Sequence, residues 1–137
     1  MERILDWNKY LDTAAKMVSE GIVMLKNENN ALPLDTDKEV AVFGRIQFHY
    51  YKSGTGSGGM VNVTKVVNIL DGLIDNGIKV NEKLLDTYRK WDKENPFDLG
   101  EGWGGEPWSQ KEMPLDEGLV KETAKSCETA IVIIGRT

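Results

Sequence analysis

From residue 8 to residue 28, apolar side chains recur at three- and four-residue steps. Leu11, Ala14, Ala15, Val18, Ile22 and Leu25 fall on one helical face. The spacing predicts one long amphipathic helix over 8–28, weakened at Gly21, where glycine costs about 1 kcal/mol relative to alanine. Asn29-Asn30 is expected to end it, and Pro33 discourages continuation. Glu39-Val40-Ala41-Val42-Phe43-Gly44 is a short, nearly continuous apolar run, the pattern of a strand buried on both faces. Residues 66–76 predict a second amphipathic helix, with Val66, Val67, Ile69, Leu70, Leu73 and Ile74 as its apolar set and Asn76-Gly77 as its stop. Ile78-Lys79-Val80 predicts a short strand. Asn81 is the expected cap of a third helix over 82–95, ahead of Pro96. Residues 96–115 have no period and are rich in glycine and proline, so they predict a long loop, a class that is usually functional or flexible in compact domains. Asp116 is the expected cap of a fourth helix running to about Cys127. The most apolar strand of all follows over 130–135.

Strands alternating with helices predict a parallel α/β sheet with right-handed crossovers. In such a sheet, ligand chemistry sits just beyond the strand C-termini. The sequence stops at Arg136-Thr137, two residues past its last strand, where a site is expected to begin.

A length of 137 residues fits one domain with a substantial core. Lys plus Arg is 17 against 22 for Asp plus Glu, a formal charge of −5. An acidic chain with no basic block is a poor binder of nucleic acid or of anionic membranes, and no apolar run approaches the ~20 residues of a membrane span. Met1-Glu2-Arg3-Ile4-Leu5-Asp6 has no apolar core of a secretory signal. One cysteine, Cys127, excludes an internal disulfide framework, and with one histidine, His49, it cannot make a Cys/His zinc site.

The sharpest chemical feature is Lys52-Ser53-Gly54-Thr55-Gly56-Ser57-Gly58-Gly59, between the first strand and the second helix. Glycines there let the backbone approach a ligand closely, and Thr55 and Ser57 supply hydroxyls. Gly54, Gly56 and Gly59 satisfy G-x-G-x-x-G, but nine residues, 45–53, separate the motif from its strand, unlike a dinucleotide-binding turn. A surface loop without ligand is the competing reading. Trp91, Phe97, Trp103 and Trp108 crowd the long loop. Pinning that loop to the domain is the favoured reading, and stacking on sugar rings the alternative. Glu101 and Glu106 read as solvated carboxylates rather than a catalytic pair. His49, with no visible Asp or Ser partner, reads as a loop residue, and Cys127 as a small core residue.

Several segments in order resemble the opening of the α/β sandwich domain of family 3 glycoside hydrolases. They are Glu20-Gly21-Ile22-Val23-Met24-Leu25-Lys26-Asn27-Glu28, Leu32-Pro33-Leu34, Val40-Ala41-Val42-Phe43-Gly44, Gly54-Thr55-Gly56-Ser57-Gly58 and the strand over 130–135. The resemblance implies a three-layer αβα sandwich whose short, mostly parallel sheet is truncated after the third strand. A leading helix and connector would occupy 1–38 and the partial sandwich 39–137, within a single domain overall. It also implies a retaining β-glucosidase-type parent that needs no cofactor, cleaving terminal β-linked sugars between this domain and a barrel domain of the same chain. The family's nucleophile is an aspartate on that barrel, and its acid/base glutamate follows the strand that here is 130–135. No catalytic residue is therefore expected in this chain, which alone should be inactive. In some members the serine of Gly-Thr-Gly-Ser-Gly binds the sugar, so Ser57 is the expected substrate-binding residue, supported by Gly54, Thr55, Gly56 and Gly58. The early first helix resembles members that place the sandwich before the barrel, which with no leader would put the parent in the cytoplasm. A standalone module binding a sugar or a nucleotide is the competing function. An uncharged final strand left at a sheet edge is the reason to expect a homodimer.

Overall fold

In the computed structural model, which describes residues 5–49, 66–102, 105 and 107–135, the chain divides into two units, Met1–Leu34 and Asp35–Thr137. In the first unit, helix α1 spans Trp7–Gly21 and is capped by Asp6, whose carboxylate accepts the Lys9 N–H at 3.1 Å. The helix predicted to reach residue 28 stops at Gly21. Ile22 is already extended, with φ −76° and ψ 125°. Glycine is the weakest helix former on this face, and β-branched Ile22 and Val23 follow it, so the helix breaks at the first weak point rather than at the asparagines. Asn29-Asn30 instead lies in a 3₁₀ turn, Glu28–Asn30, with both asparagines at φ 54°. Asn27 closes that turn: its side chain donates to Leu32 O at 2.8 Å and accepts the Leu32 N–H at 3.0 Å. No residue of α1 is buried, and Leu11 and Val18 of its apolar face are 58% and 66% exposed.

The second unit carries the sheet. Its elements are β1 (Glu39–Phe43), α2 (Ile69–Asp75), β2 (Lys79–Val80), α3 (Glu82–Glu94), α4 (Glu117–Ser126) and β3 (Thr129–Val132). Each helix begins on a short polar side chain that accepts an otherwise free N–H: Asn68 from Asp71 at 2.7 Å, Asn81 from Leu84 at 3.0 Å and Asp116 from Leu119 at 2.8 Å. Such caps contribute roughly 1 kcal/mol apiece. The Asn68 cap also explains why α2 starts at Ile69 and leaves Val66 and Val67 outside, against the start predicted at residue 66.

The sheet order is β2-β1-β3 and both pairings are parallel. β1 is central and buried on both faces, with Val40, Ala41 and Val42 at 2% exposure or less. Its alternate residues Ala41 and Phe43 pack with Leu84 and Tyr88 of α3, with Met113 and with Cys127, and Leu119 of α4 adds to that layer. The chain leaves β1 for β2 on one side and returns past it to β3 on the other. α3 and α4 cover the Ala41 and Phe43 face of β1, and right-handed crossovers in opposite directions place α2 on the other. That is the three-layer α/β arrangement expected from the sequence. Burying Leu84, Leu85 and Tyr88, each 1% exposed, stabilises the unit by roughly 1.5–3 kcal/mol per side chain. Cys127 is buried in this core, as its sequence context implied. Among the described residues β3 pairs with β1 alone, and Val132 is 66% exposed.

Candidate functional site

The site grows from the end of β1. Gly44 has φ 111°, and a Cβ there would lie 2.4 Å from the carbonyl oxygen of Ile133. Only glycine lets the two backbones approach in this way. The approach prolongs the β1–β3 pairing, because the Ile133 N–H donates to Phe43 O at 2.9 Å. The Gly44 N–H in turn donates to the Tyr88 hydroxyl at 2.9 Å, tying the strand end to α3.

Burial pushes the Tyr88 phenol above its ordinary value of 10.0. The Gly44 hydrogen bond pulls it down, and the nearby Glu112 carboxylate adds to the rise. The folded chain therefore holds this proton more tightly than the unfolded chain. The stabilisation is fully present below pH 10 and is lost as the pH climbs from there through the folded value. In urea titrations from about pH 8 upward, the stability gap between the wild type and Tyr88→Phe should narrow above pH 10. A gap that stays constant across that range would contradict a buried phenol.

Arg45 follows Gly44 and is 3% exposed. Its Nη2 donates to Asp92 Oδ1 at 2.7 Å and to Asn95 O at 2.8 Å, and its Nη1 donates to Lys111 O at 2.8 Å. The guanidinium lies 4.9 Å from the Trp91 ring centroid and 5.2 Å from that of Phe97. Its backbone N–H donates to the Glu112 carboxylate at 2.9 Å. The second Asp92 oxygen is 2.8 Å from His49 Nε2, and the imidazole stacks on Phe97 at 4.6 Å between centroids. Gln47 is fully buried and donates to Gly44 O at 2.9 Å. The charge of Arg45 is thus matched within the fold, and its forked donors tie the end of α3 to the long loop. The cluster is a brace beneath the site, and it holds the stem from which the chain runs on toward the glycine motif.

Above the brace lies a cavity of about 320 Å³, whose walls include Gly44, Tyr88, Phe97, Glu112, Leu115 and Ile133. It opens at the C-terminal ends of β1 and β3, between the two crossovers that leave in opposite directions. This is where open α/β sheets take their ligands. The walls are mainly apolar with a few polar groups, the make-up of a small-molecule pocket. Among the described residues no group of three or more His, Cys, Asp or Glu side chains could hold a metal ion. No described helix is long and apolar enough to cross a membrane.

Ser57 and its supporting Gly54, Thr55, Gly56 and Gly58 lie outside the described residues, as do Trp103 and Glu106. Glu101 is exposed. The aromatic residues of the long loop divide. Trp91 packs on the core and Phe97 on His49, as the pinning reading requires, but Trp108 is 88% exposed and pins nothing. His49, read as lacking an Asp partner, has one in Asp92, 43 residues away. Sequence reasoning also missed Arg45 and Asp92. A charged residue directly after a doubly buried strand, and an aspartate one helical turn beyond Tyr88 of the packed face of α3, are the signals that pointed to them.

The chain is 62% identical to a β-glucosidase of Ruminococcus albus over 97% of its length, and 32% identical to β-glucosidase A of Butyrivibrio fibrisolvens over 98%. It spans 14% and 16% of the lengths of those two proteins. Its fold superposes on that of a β-glucosidase from Paenibacillus barengoltzii with a TM-score of 0.85 and 52% identity, covering 98% of this chain and 14% of that one. It superposes on β-glucosidase 3B of Thermotoga neapolitana, solved with glucose, with a TM-score of 0.77 and 28% identity, covering 96% of this chain and 18% of that one. Residues 22–137 match the glycosyl hydrolase family 3 C-terminal domain, and the chain therefore belongs to that family.

Proposed function

We propose that the chain is the opening part of the sandwich domain of a retaining β-glucosidase, and that it lends its glycine motif to an active site completed by a barrel domain. The observation that carries this reading is the 62% identity to a β-glucosidase of which the chain spans only 14%. The cavity at the ends of β1 and β3 supports it, because open α/β sheets take their ligands on that side and the glycine motif follows β1 in sequence. In the proposed reaction a carboxylate outside this chain attacks the anomeric carbon of a terminal β-linked sugar, and a second carboxyl group protonates the leaving oxygen. Water, activated by that same group, then hydrolyses the glycosyl-enzyme. The Ser57 hydroxyl holds one hydroxyl of the cleaved sugar.

In the full-length parent, Ser57→Ala should lower kcat/KM for an aryl β-glucoside roughly fivefold to tenfold, as the loss of one hydrogen bond predicts. Kinetics unchanged by the substitution would sink the Ser57 assignment. The 137-residue chain by itself should show no turnover of the same substrate. Activity that purifies with it and vanishes in Glu101→Gln or Glu106→Gln would sink the division of labour. The second reading, a standalone small-ligand module, draws on the cavity alone; calorimetry on this chain with glucose and with a dinucleotide separates the two.

A further inference from the structure

We infer that Asn76 is a site of spontaneous covalent modification, and that the C-terminal cap of α2 sets its rate. The backbone nitrogen of Gly77 cyclises onto the Asn76 side chain, and the products loosen the α2–β2 edge of the sheet. The inference does not depend on the glycosidase reading.

Asn76-Gly77 is the one place in the sequence where glycine follows asparagine. Every other asparagine precedes a residue with a Cβ, which crowds the next backbone nitrogen, whereas glycine leaves that nitrogen open. Both residues are exposed. In the reaction the Gly77 nitrogen gives its proton to hydroxide and attacks Asn76 Cγ. A C–N bond forms there, and the side-chain nitrogen leaves as ammonia, taking a proton from water. Water then opens the resulting succinimide. Attack at Cγ leaves aspartate. Attack at the main-chain carbonyl carbon leaves isoaspartate, with the backbone rerouted through the side chain. The net change is water consumed and ammonia released, with no oxidant or reductant.

The folded cap opposes cyclisation. Asn76 has ψ 13°, which places the Gly77 nitrogen beside the Asn76 nitrogen and away from Cγ. The Gly77 N–H donates to Ile74 O at 2.9 Å, and Asn76 Nδ2 donates to Gly72 O at 2.7 Å. The Ile78 N–H donates to Leu73 O at 3.0 Å, so the helix end closes around Gly77 at φ 76°. Reaction therefore requires the last turn of α2 to unwind. That turn is weakly held: α2 has seven residues, only Leu70 among them is buried, and Ile74 is 50% exposed.

Refolding does not reverse the change. Either product sets a carboxylate near the Gly72 carbonyl, at the negative end of the helix. Isoaspartate also adds a backbone carbon ahead of Gly77, which shifts the Gly77 and Ile78 N–H groups off the carbonyls they bond. β2 follows directly and pairs with β1 through Lys79 and Val80 alone.

The test holds the chain in mildly alkaline buffer, folded and in urea, and follows each asparagine by peptide mass spectrometry. Isoaspartate methyltransferase labelling identifies the product. Asn76 should convert ahead of every other asparagine, and at least about tenfold more slowly in the folded chain. The same opening frees the Gly77 amide, so its hydrogen-exchange protection factor should equal the ratio of unfolded to folded conversion rates within about threefold. Asn68→Ala removes the N-terminal cap of α2 and should raise the folded rate about threefold to tenfold, leaving the rate in urea unchanged. If that variant does not fold, the comparison of exchange with conversion in the wild type decides. In the converted protein, exchange should speed up at the Asn81 amide, which donates to Val40 O at 2.9 Å. Another asparagine converting first, equal rates folded and in urea, or a protection factor more than about tenfold from the rate ratio would overturn the inference. So would an unchanged rate in folded Asn68→Ala, or unchanged exchange at Asn81 after conversion.

Discussion

Arg45→Ala is expected to destabilise the second unit by about 3–5 kcal/mol, enough to unfold it if its stability lies at the low end for a domain of this size. The reason is what the substitution leaves behind. Arg45 is 3% exposed, and its guanidinium is shared by the Asp92 carboxylate and the carbonyls of Asn95 and Lys111. Alanine would strand a carboxylate that is 18% exposed, with His49 as its remaining partner, and would leave two carbonyls without their donor. It would also remove the planar group that lies 4.9 Å from the Trp91 ring centroid and 5.2 Å from that of Phe97. Arg45→Lys should recover part of the loss, because one ammonium cannot occupy all three positions of the fork. Asp92→Asn should cost less than Arg45→Ala, since the amide oxygen still accepts from the guanidinium. Urea unfolding followed by tryptophan fluorescence measures all three. A loss under about 0.5 kcal/mol for Arg45→Ala, the range of ordinary surface changes, would show that the brace does not hold the fold.

Gly44→Ala is expected to cost about 2–4 kcal/mol, from strain and displacement together. At φ 111° an L side chain is strained whatever the space available, and here the space is taken: the new Cβ would lie 2.4 Å from Ile133 O. Relief requires the end of β3 to move away, which breaks the Ile133 N–H to Phe43 O bond and opens the wall of the cavity. Gly21→Ala is the matched control, because nothing lies within 4 Å of the added carbon. There alanine should be neutral or stabilising. Hydrogen exchange at Ile133 should speed up in Gly44→Ala and stay at the wild-type rate in Gly21→Ala. Equal stability of the two variants would contradict the close approach of the strands.

The features legible in the sequence were local ones. Asn81 and Asp116 were readable as caps because a short polar side chain before an apolar period has one obvious use, the free N–H groups of the next turn. The run over Val40–Phe43 was readable as a doubly buried strand because it carries no polar position for water. Where the reading slipped, two local signals competed. The apolar period crossed Gly21 without a break, so periodicity alone carried α1 too far, and the backbone cost of glycine with the β-branched pair after it decided the end.

The candidate site was half legible. The cavity at the strand C-termini lies where strand order put it, whereas its brace did not follow from that order. Arg45 meets Asp92 across 47 positions and Lys111 across 66, and His49 meets Asp92 across 43. No periodicity spans such separations. Gly44 resembles any glycine after a strand until β3 is laid beside it.

The sequence by itself determined the alternation of elements, the starts of α3 and α4 and the burial of β1, because each depends on residues within a turn or a strand of one another. Tertiary structure alone decided which charges are paired, which tryptophan remains in solvent and where two backbones touch. Those outcomes depend on distances between segments that are brought together only when the crossovers close over the sheet.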